Sequence, residues 1–132
     1  MSTIRKVIPH TRRPDLSFLE SGRVDITSRV VRLLDIHPGD VLSIVIVKGE
    51  WYLYVANRAE NLVGRHEAQC FPTKKGSHNF RLWSRSLASA VLTECGGVSR
   101  ADLPAGEVSD VLGFPAVPII TQNNLSNELR VL

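Results

Sequence analysis

Gly22-Arg23-Val24-Asp25-Ile26-Thr27, Ser28-Arg29-Val30-Val31-Arg32-Leu33-Leu34-Asp35 and Ile36-His37-Pro38-Gly39-Asp40 follow one another without a break, and this run decides the fold. Arg23 to Thr27 alternates polar and apolar side chains, the period-2 pattern of a half-buried strand. Ser28 is a helix-capping residue, and Val30, Val31, Leu33 and Leu34 supply the apolar contacts of a helix over 29–35. Pro38 cannot continue that helix and Gly39 allows a positive φ, so 37–40 is a turn. The Asp40 carboxylate can accept backbone N–H bonds there, which gives it a structural role.

Outward from that turn, Val41 to Val47 is the strongest strand. Its apolar residues fall on both faces, so cover on both sides is expected. Lys48-Gly49-Glu50 fits a three-residue hairpin loop, and Trp51 to Val55 is the return strand. Upstream, residues 1–21 form an entry arm interrupted by Pro9 and Pro14, tacked to the core by Leu16, Phe18 and Leu19. Downstream, 65–71 and 80–83 read as strands, and 72–77 as a polar loop. Residues 87–95 form a helix ended by Gly96-Gly97, and 103–108 a turn into a strand. Ala116 to Thr121 is a last strand that Pro118 confines to an edge or a bulge. Residues 122–132 form a polar tail.

The chain has 132 residues, 43% of them hydrophobic, with a net charge of +3. That size fits one domain with a core that needs no metal or disulfide staple. No apolar run approaches the ~20 residues of a membrane span. The first ten residues hold no apolar signal core, so export is not expected and a cytoplasmic location is. Cys70 and Cys95 lack metal-ligand spacing and read as small buried apolar side chains. Residues 1–85 are basic and 86–132 acidic, a gradient that can bias one face toward phosphate.

A weak repeat runs through the chain. Val24-Asp25-Ile26-Thr27-Ser28-Arg29 and Phe80-Arg81-Leu82-Trp83-Ser84-Arg85 are both strands followed by Ser-Arg and a helix, with the Ser-Arg pairs 56 positions apart. Gly39-Asp40-Val41 and Gly106-Glu107-Val108 extend the match, 67 positions apart. Two such strand–helix–strand units in one chain would build a pseudo-symmetric barrel. One unit alone is too small to bury its apolar face.

The residues Gly22-Arg23-Val24-Asp25-Ile26-Thr27 and Leu34-Asp35-Ile36-His37-Pro38-Gly39-Asp40-Val41 resemble the SpoVT/AbrB family of swapped-hairpin proteins. Ile26, Leu34, Ile36, Gly39 and Asp40 fall in that family's register without a gap. Thr27 stands where the family has Pro, and Val31 where it has Arg. The resemblance spans 22–55, with a degenerate second copy at 80–121. It implies an α+β fold, mainly β with short helices, closed as a swapped-hairpin or double-psi-type barrel. It also implies a homodimer or larger homo-oligomer that regulates transcription by binding double-stranded DNA. By that resemblance the DNA-binding residues are Arg23, Arg29 and Arg32, with Arg81 and Arg85 in the second copy. Arg12-Arg13 would be an arm, and Lys74-Lys75 a loop that contacts phosphate.

Other chemistry has less to stand on. His10, His37, His66 and His78 show no metal-ligand spacing, and no cofactor motif is present. Cys95 before Gly96-Gly97 has no local signature of a nucleophile. No catalytic residue is assigned, and the chain reads as a non-enzyme. Trp51, Tyr52, Tyr54 and Trp83 would stack on bases if exposed on one sheet face, or anchor a core or interface if not. The competing class is a structural or protein-interaction module on the same fold, and an enzyme on a double-psi-type barrel is a third.

Overall fold

Val24 and Ile26 are buried while Arg23 and Asp25, which alternate with them, are half-exposed, as strand alternation requires, and this strand lies at the centre of the larger sheet. The structure, a computed structural model, describes residues 14–110 and 112–121. The arginines at 12 and 13 and the tail at 123–132 lie outside the described residues. The elements in chain order are β1 (Leu16–Leu19), β2 (Arg23–Ile26), α1 (Ser28–Leu34), β3 (Val41–Val47), β4 (Glu50–Asn57), β5 (Phe71–Pro72), β6 (Phe80–Trp83), α2 (Arg85–Glu94), β7 (Arg100–Leu103) and β8 (Ala116–Ile119). Among the described residues the architecture is α+β, mostly strands with two short α-helices.

The strands make two sheets. One has five strands in the order β5-β6-β2-β1-β7, the other three in the order β3-β4-β8. Both sheets are open at their edges, so the closed barrel expected from sequence is not formed. Closure fails because the larger sheet ends on β7 and on the two-residue β5, and the smaller ends on β3 and the Pro-containing β8. All pairings are antiparallel.

The inward face of the larger sheet carries Leu16, Phe18, Val24, Ile26, Phe80, Leu82, Ala101 and Leu103. Val30 and Leu34 of α1 and Ala88, Val91 and Leu92 of α2 join the same core. Full burial of each large aliphatic or aromatic side chain contributes about 1.5–3 kcal/mol. Leu53, Val117 and Ile119 bring the smaller sheet onto it.

Several local expectations shift. Residues 16–19 are not an arm but β1, held between β2 and β7. The α1 cap is not Ser28. Thr27 stands at the N-cap without a side-chain bond, and the Ser28 N–H donates to Asn79 Oδ1 at 2.8 Å, a residue 51 positions away. Lys48-Gly49 is a two-residue turn with φ of 52° and 81°, the sign type I′ requires, so Glu50 already belongs to β4. Ser84 does cap α2, accepting from Leu87 N at 3.2 Å. Residues 106–108 lead into no strand; Ala105 and Ser109 make isolated bridges to Ile119 and Ala116. Cover on both faces of β3 is also not seen. β3 is an edge strand in which Leu42 is buried and Ile46 is 53% exposed.

Two buried carboxylates lock the crossings. Asp40, 1% exposed, accepts from His37 N at 2.7 Å, Ala59 N at 2.9 Å and Arg58 Nη1 at 2.7 Å. The turn-fixing role read from the sequence is therefore realised, and it extends to the end of β4. Asp15 accepts from Ala105 N at 2.8 Å and pairs with Arg29 Nη1 at 3.2 Å, joining the start of β1 to the chain after β7. Replacing Asp40 with Ala strands the His37 and Ala59 N–H donors and takes the carboxylate from Arg58, which keeps the Asp35 and Leu34 carbonyls. We expect Asp40→Ala to lose about 3 kcal/mol of stability. Urea unfolding should show this as a lower midpoint with an unchanged slope.

Candidate functional site

The outward face of the five-stranded sheet is built by the same alternation that fills the core. Arg81 and Trp83 point away from the core because Phe80 and Leu82 point into it. Across β2 the register sets Asp25 opposite Arg81 and Arg23 opposite Trp83; across β5 it sets Phe71 opposite Arg81. Trp83 is 57% exposed and Phe71 51%.

Asp25 organises the charges. Its Oδ1 accepts from Arg81 Nε at 2.6 Å and its Oδ2 from Arg23 Nη2 at 2.9 Å. Burial pushes the Asp25 carboxyl up, but the hydrogen bonds and charges of Arg23 and Arg81 outweigh it and hold the group below the usual carboxylate range. Hydrogen bonding to Asp25, with its charge, raises Arg23 further above its ordinary value. The cluster carries two cations on one anion. The Nη nitrogens of Arg81 have no partner among the described residues and remain as donors.

Beside this cluster lies an open cleft of about 460 Å³, lined by Arg65, His66 and Gln69 from the β4–β5 connection, Phe71 from β5, and Arg81 and Trp83 from β6. Among the described residues no carboxylate lines it. Arg65 is exposed and unpaired among the described residues. His66 Nε2 lies 3.0 Å from the Val63 carbonyl, which can only accept, so Nε2 holds a proton and Nδ1 stays available. Gln69 is a positioning residue: Oε1 accepts from His66 N at 2.9 Å and Nε2 donates to the Gly39 carbonyl at 3.1 Å. Glu67, the nearest acid in sequence, is turned to Ser84 and Ser86. Their hydroxyls hold its carboxyl below the usual range.

The cleft inherits its position from the Asp40 turn. Gly39 N donates to the Cys70 carbonyl at 2.7 Å, and Cys70 N to the Asp40 carbonyl at 2.9 Å. The Cys70 thiol donates to that same carbonyl at 3.2 Å. Burial, with the nearby Asp40 charge, pushes this thiol up to about 12, which keeps it a protonated donor and not a nucleophile. Phe71 follows directly and enters β5. Cys95 is half-buried. Among the described residues no three His, Cys, Asp or Glu side chains converge to hold a metal ion, and no helix is long and apolar enough to cross a membrane.

The five arginines singled out by resemblance do not form one patch. Arg23 and Arg81 share the outward sheet face. Arg29 sits on α1, on the core side of that sheet, where it donates to the Ala105 carbonyl at 2.9 Å and pairs with Asp15 and Glu107. Arg32 is exposed on the last turn of α1. Arg85 opens α2 and lies against Gly22. Helix–core packing therefore separates Arg29 and Arg32 from Arg81. The described residues carry eleven Lys and Arg against twelve Asp and Glu, so positive potential on the folded part is local, not global. Arg65 and Phe71 were not singled out in the sequence. The alternation in Phe80-Arg81-Leu82-Trp83 does pair Arg81 with Trp83 on one face, and that was the signal to follow. Trp51, by contrast, is buried, and Tyr54 packs on Phe114 at 4.8 Å.

Comparison with family models, curated proteins and solved structures returned no match for this chain.

Asp25 has a folded-state value below its unfolded one, so its contribution to stability is present above the ordinary carboxylate range. That contribution is lost as pH falls through the depressed value. Asp25→Asn should therefore melt a few degrees below the wild type at neutral pH, a difference of about 1 kcal/mol at most. The two melting curves should converge on acidification below the carboxylate range. A gap that persists in acid would show that the loss is not electrostatic.

Proposed function

We propose that this chain is a non-catalytic, AbrB-like nucleic-acid-binding protein that works in the cytoplasm as a homo-oligomer and regulates transcription. One observation carries the reading. A cleft at the β5 edge of the larger sheet combines two arginines, a histidine and two half-exposed aromatic rings, with no lining carboxylate among the described residues. Cations without a lining acid favour phosphate, and rings on a sheet favour bases. The interface is then Arg65, Arg81 and Arg23, flanked by Lys74 and Lys75 in the β5–β6 loop. Arg29 and Arg32 lie outside it, and Arg85 borders it at Gly22.

The oligomeric part of the proposal rests on β3. This strand is seven residues long and apolar, and among the described residues one of its edges has no strand neighbour and is bridged only at Val41, to Gln69. Such an edge is a template for pairing with a second chain. The same edge supports the competing view of a protein-interaction module, which predicts assembly without nucleic acid.

Binding to double-stranded DNA, measured by fluorescence anisotropy across a salt series, should weaken steeply with ionic strength. Arg65→Gln and Arg81→Gln should each weaken binding and reduce the salt slope by about 1, while Arg32→Gln changes neither. Assembly with no detectable binding to any nucleic acid at micromolar protein would favour the interaction module instead.

A further inference from the structure

We infer that the β5–β6 cleft is a pocket for one unpaired nucleobase, so that the protein selects single-stranded over duplex nucleic acid. The inference rests on the nucleic-acid reading above and adds the substrate form.

Spacing is the first reason. Phe71 pairs with Arg81, and Trp83 is two residues further on the same face, so the rings are diagonal cross-strand neighbours. Such neighbours stand about 7–8 Å apart. Both rings line the cleft on one exposed sheet face, so a planar base can stack on them. The cleft volume, about 460 Å³, suits a nucleotide-sized ligand. In a duplex both faces of every base are covered by its neighbours in the stack, so only a base out of the stack can enter.

The polar groups are the second reason. Arg81 lines the same cleft with Nε held by Asp25, which leaves its Nη nitrogens as donors to base oxygen or phosphate. Arg65 offers a second cation and His66 Nδ1 a further polar atom. Cations continue on both sides of the cleft, at Lys74 and Lys75 and at Arg23. That continuity favours a strand over a free nucleotide, because each further phosphate finds a partner. Trp83 and Phe71 are half-exposed, so leaving them uncovered in the free protein is a standing cost that a stacked base removes.

The test uses the full chain and four probes at one low-salt condition: a labelled 12-mer of thymidine, its duplex with the complementary strand, a 12-mer of the same charge with abasic sites, and thymidine monophosphate. The thymidine strand should bind about tenfold tighter than the duplex or the abasic strand, because only its bases are free to stack on the exposed rings. It should quench Trp83 emission. Trp83→Ala and Phe71→Ala should each lose about tenfold toward the thymidine strand and nothing toward the abasic one, while Trp83→Phe retains most of the affinity. Circular dichroism of these surface variants should match the wild type.

Equal binding of thymidine and abasic strands would overturn the base pocket and leave a phosphate-binding protein. Tighter duplex binding that Trp83→Ala leaves unchanged would do the same. Equal affinity for the monophosphate and the strand would overturn the strand and make this a nucleotide site. Failure of every probe would overturn both this inference and the nucleic-acid reading. Loss of self-association in Trp83→Ala, with no probe bound, would assign the rings to a second protein copy.

Discussion

The antiparallel pairing of β2 with β6 is the interaction on which the rest of this molecule depends. Residues 56 positions apart, Asp25 and Arg81, stand directly opposite one another. Val24 and Ile26 meet Leu82 and Phe80 on the face below. Each strand then runs into a helix, α1 or α2, that packs on the core. The pairing sets where β1 and β5 can add on either side. It also brings two arginines and one aspartate onto a single outward face. Without the Asp25 carboxylate between them, Arg23 and Arg81 would repel at short range. With it, the strands are clamped and one net positive charge remains for a ligand.

A second constraint carries that centre out to the working edge. Residues 68–72 pair first with the Asp40 turn and β3, then with β6. They are one of the strips of chain that join the two sheets, as residues 104–106 are another, and they line the cleft. Asp40 holds its own turn and the end of β4, and Cys70 hangs from its carbonyl. The cleft thus borrows rigidity from a buried network and not from its own exposed side chains. A binding site placed beside such a clamp loses little order on engaging a ligand.

Much of the fold was legible because its period is local. Alternation disclosed β2; β-branched and aromatic residues after a hairpin loop disclosed β4; terminal glycines disclosed α2; and Gly39-Asp40 disclosed the turn and its acid. β1 was read as an arm because Pro14 precedes it. β7 was missed although Arg100-Ala101-Asp102-Leu103 alternates. β3 reads as a core strand by composition, yet sits at an edge, because composition does not say how many neighbours a strand receives. The site was harder still. Arg81 and Trp83 share a face by alternation alone, but Phe71 and Arg65 reach them only through pairing across the β5–β6 hairpin, and register between distant strands is not written in any local pattern. The arginines of α1 were misplaced because resemblance orders residues along the chain, while the Asp15 and Glu107 pairs of Arg29 depend on where β1 and the segment after β7 pack.

Mapping of amide and indole shifts by nuclear magnetic resonance, with a short nucleic-acid strand added to the full chain, tests the central claim most directly. This account predicts shifts confined to 65–73, 81–83 and the Arg23–Asp25 strand, with the Trp83 indole among the largest. Shifts centred on Arg29 and Arg32 of α1, with Trp83 unmoved, would contradict it.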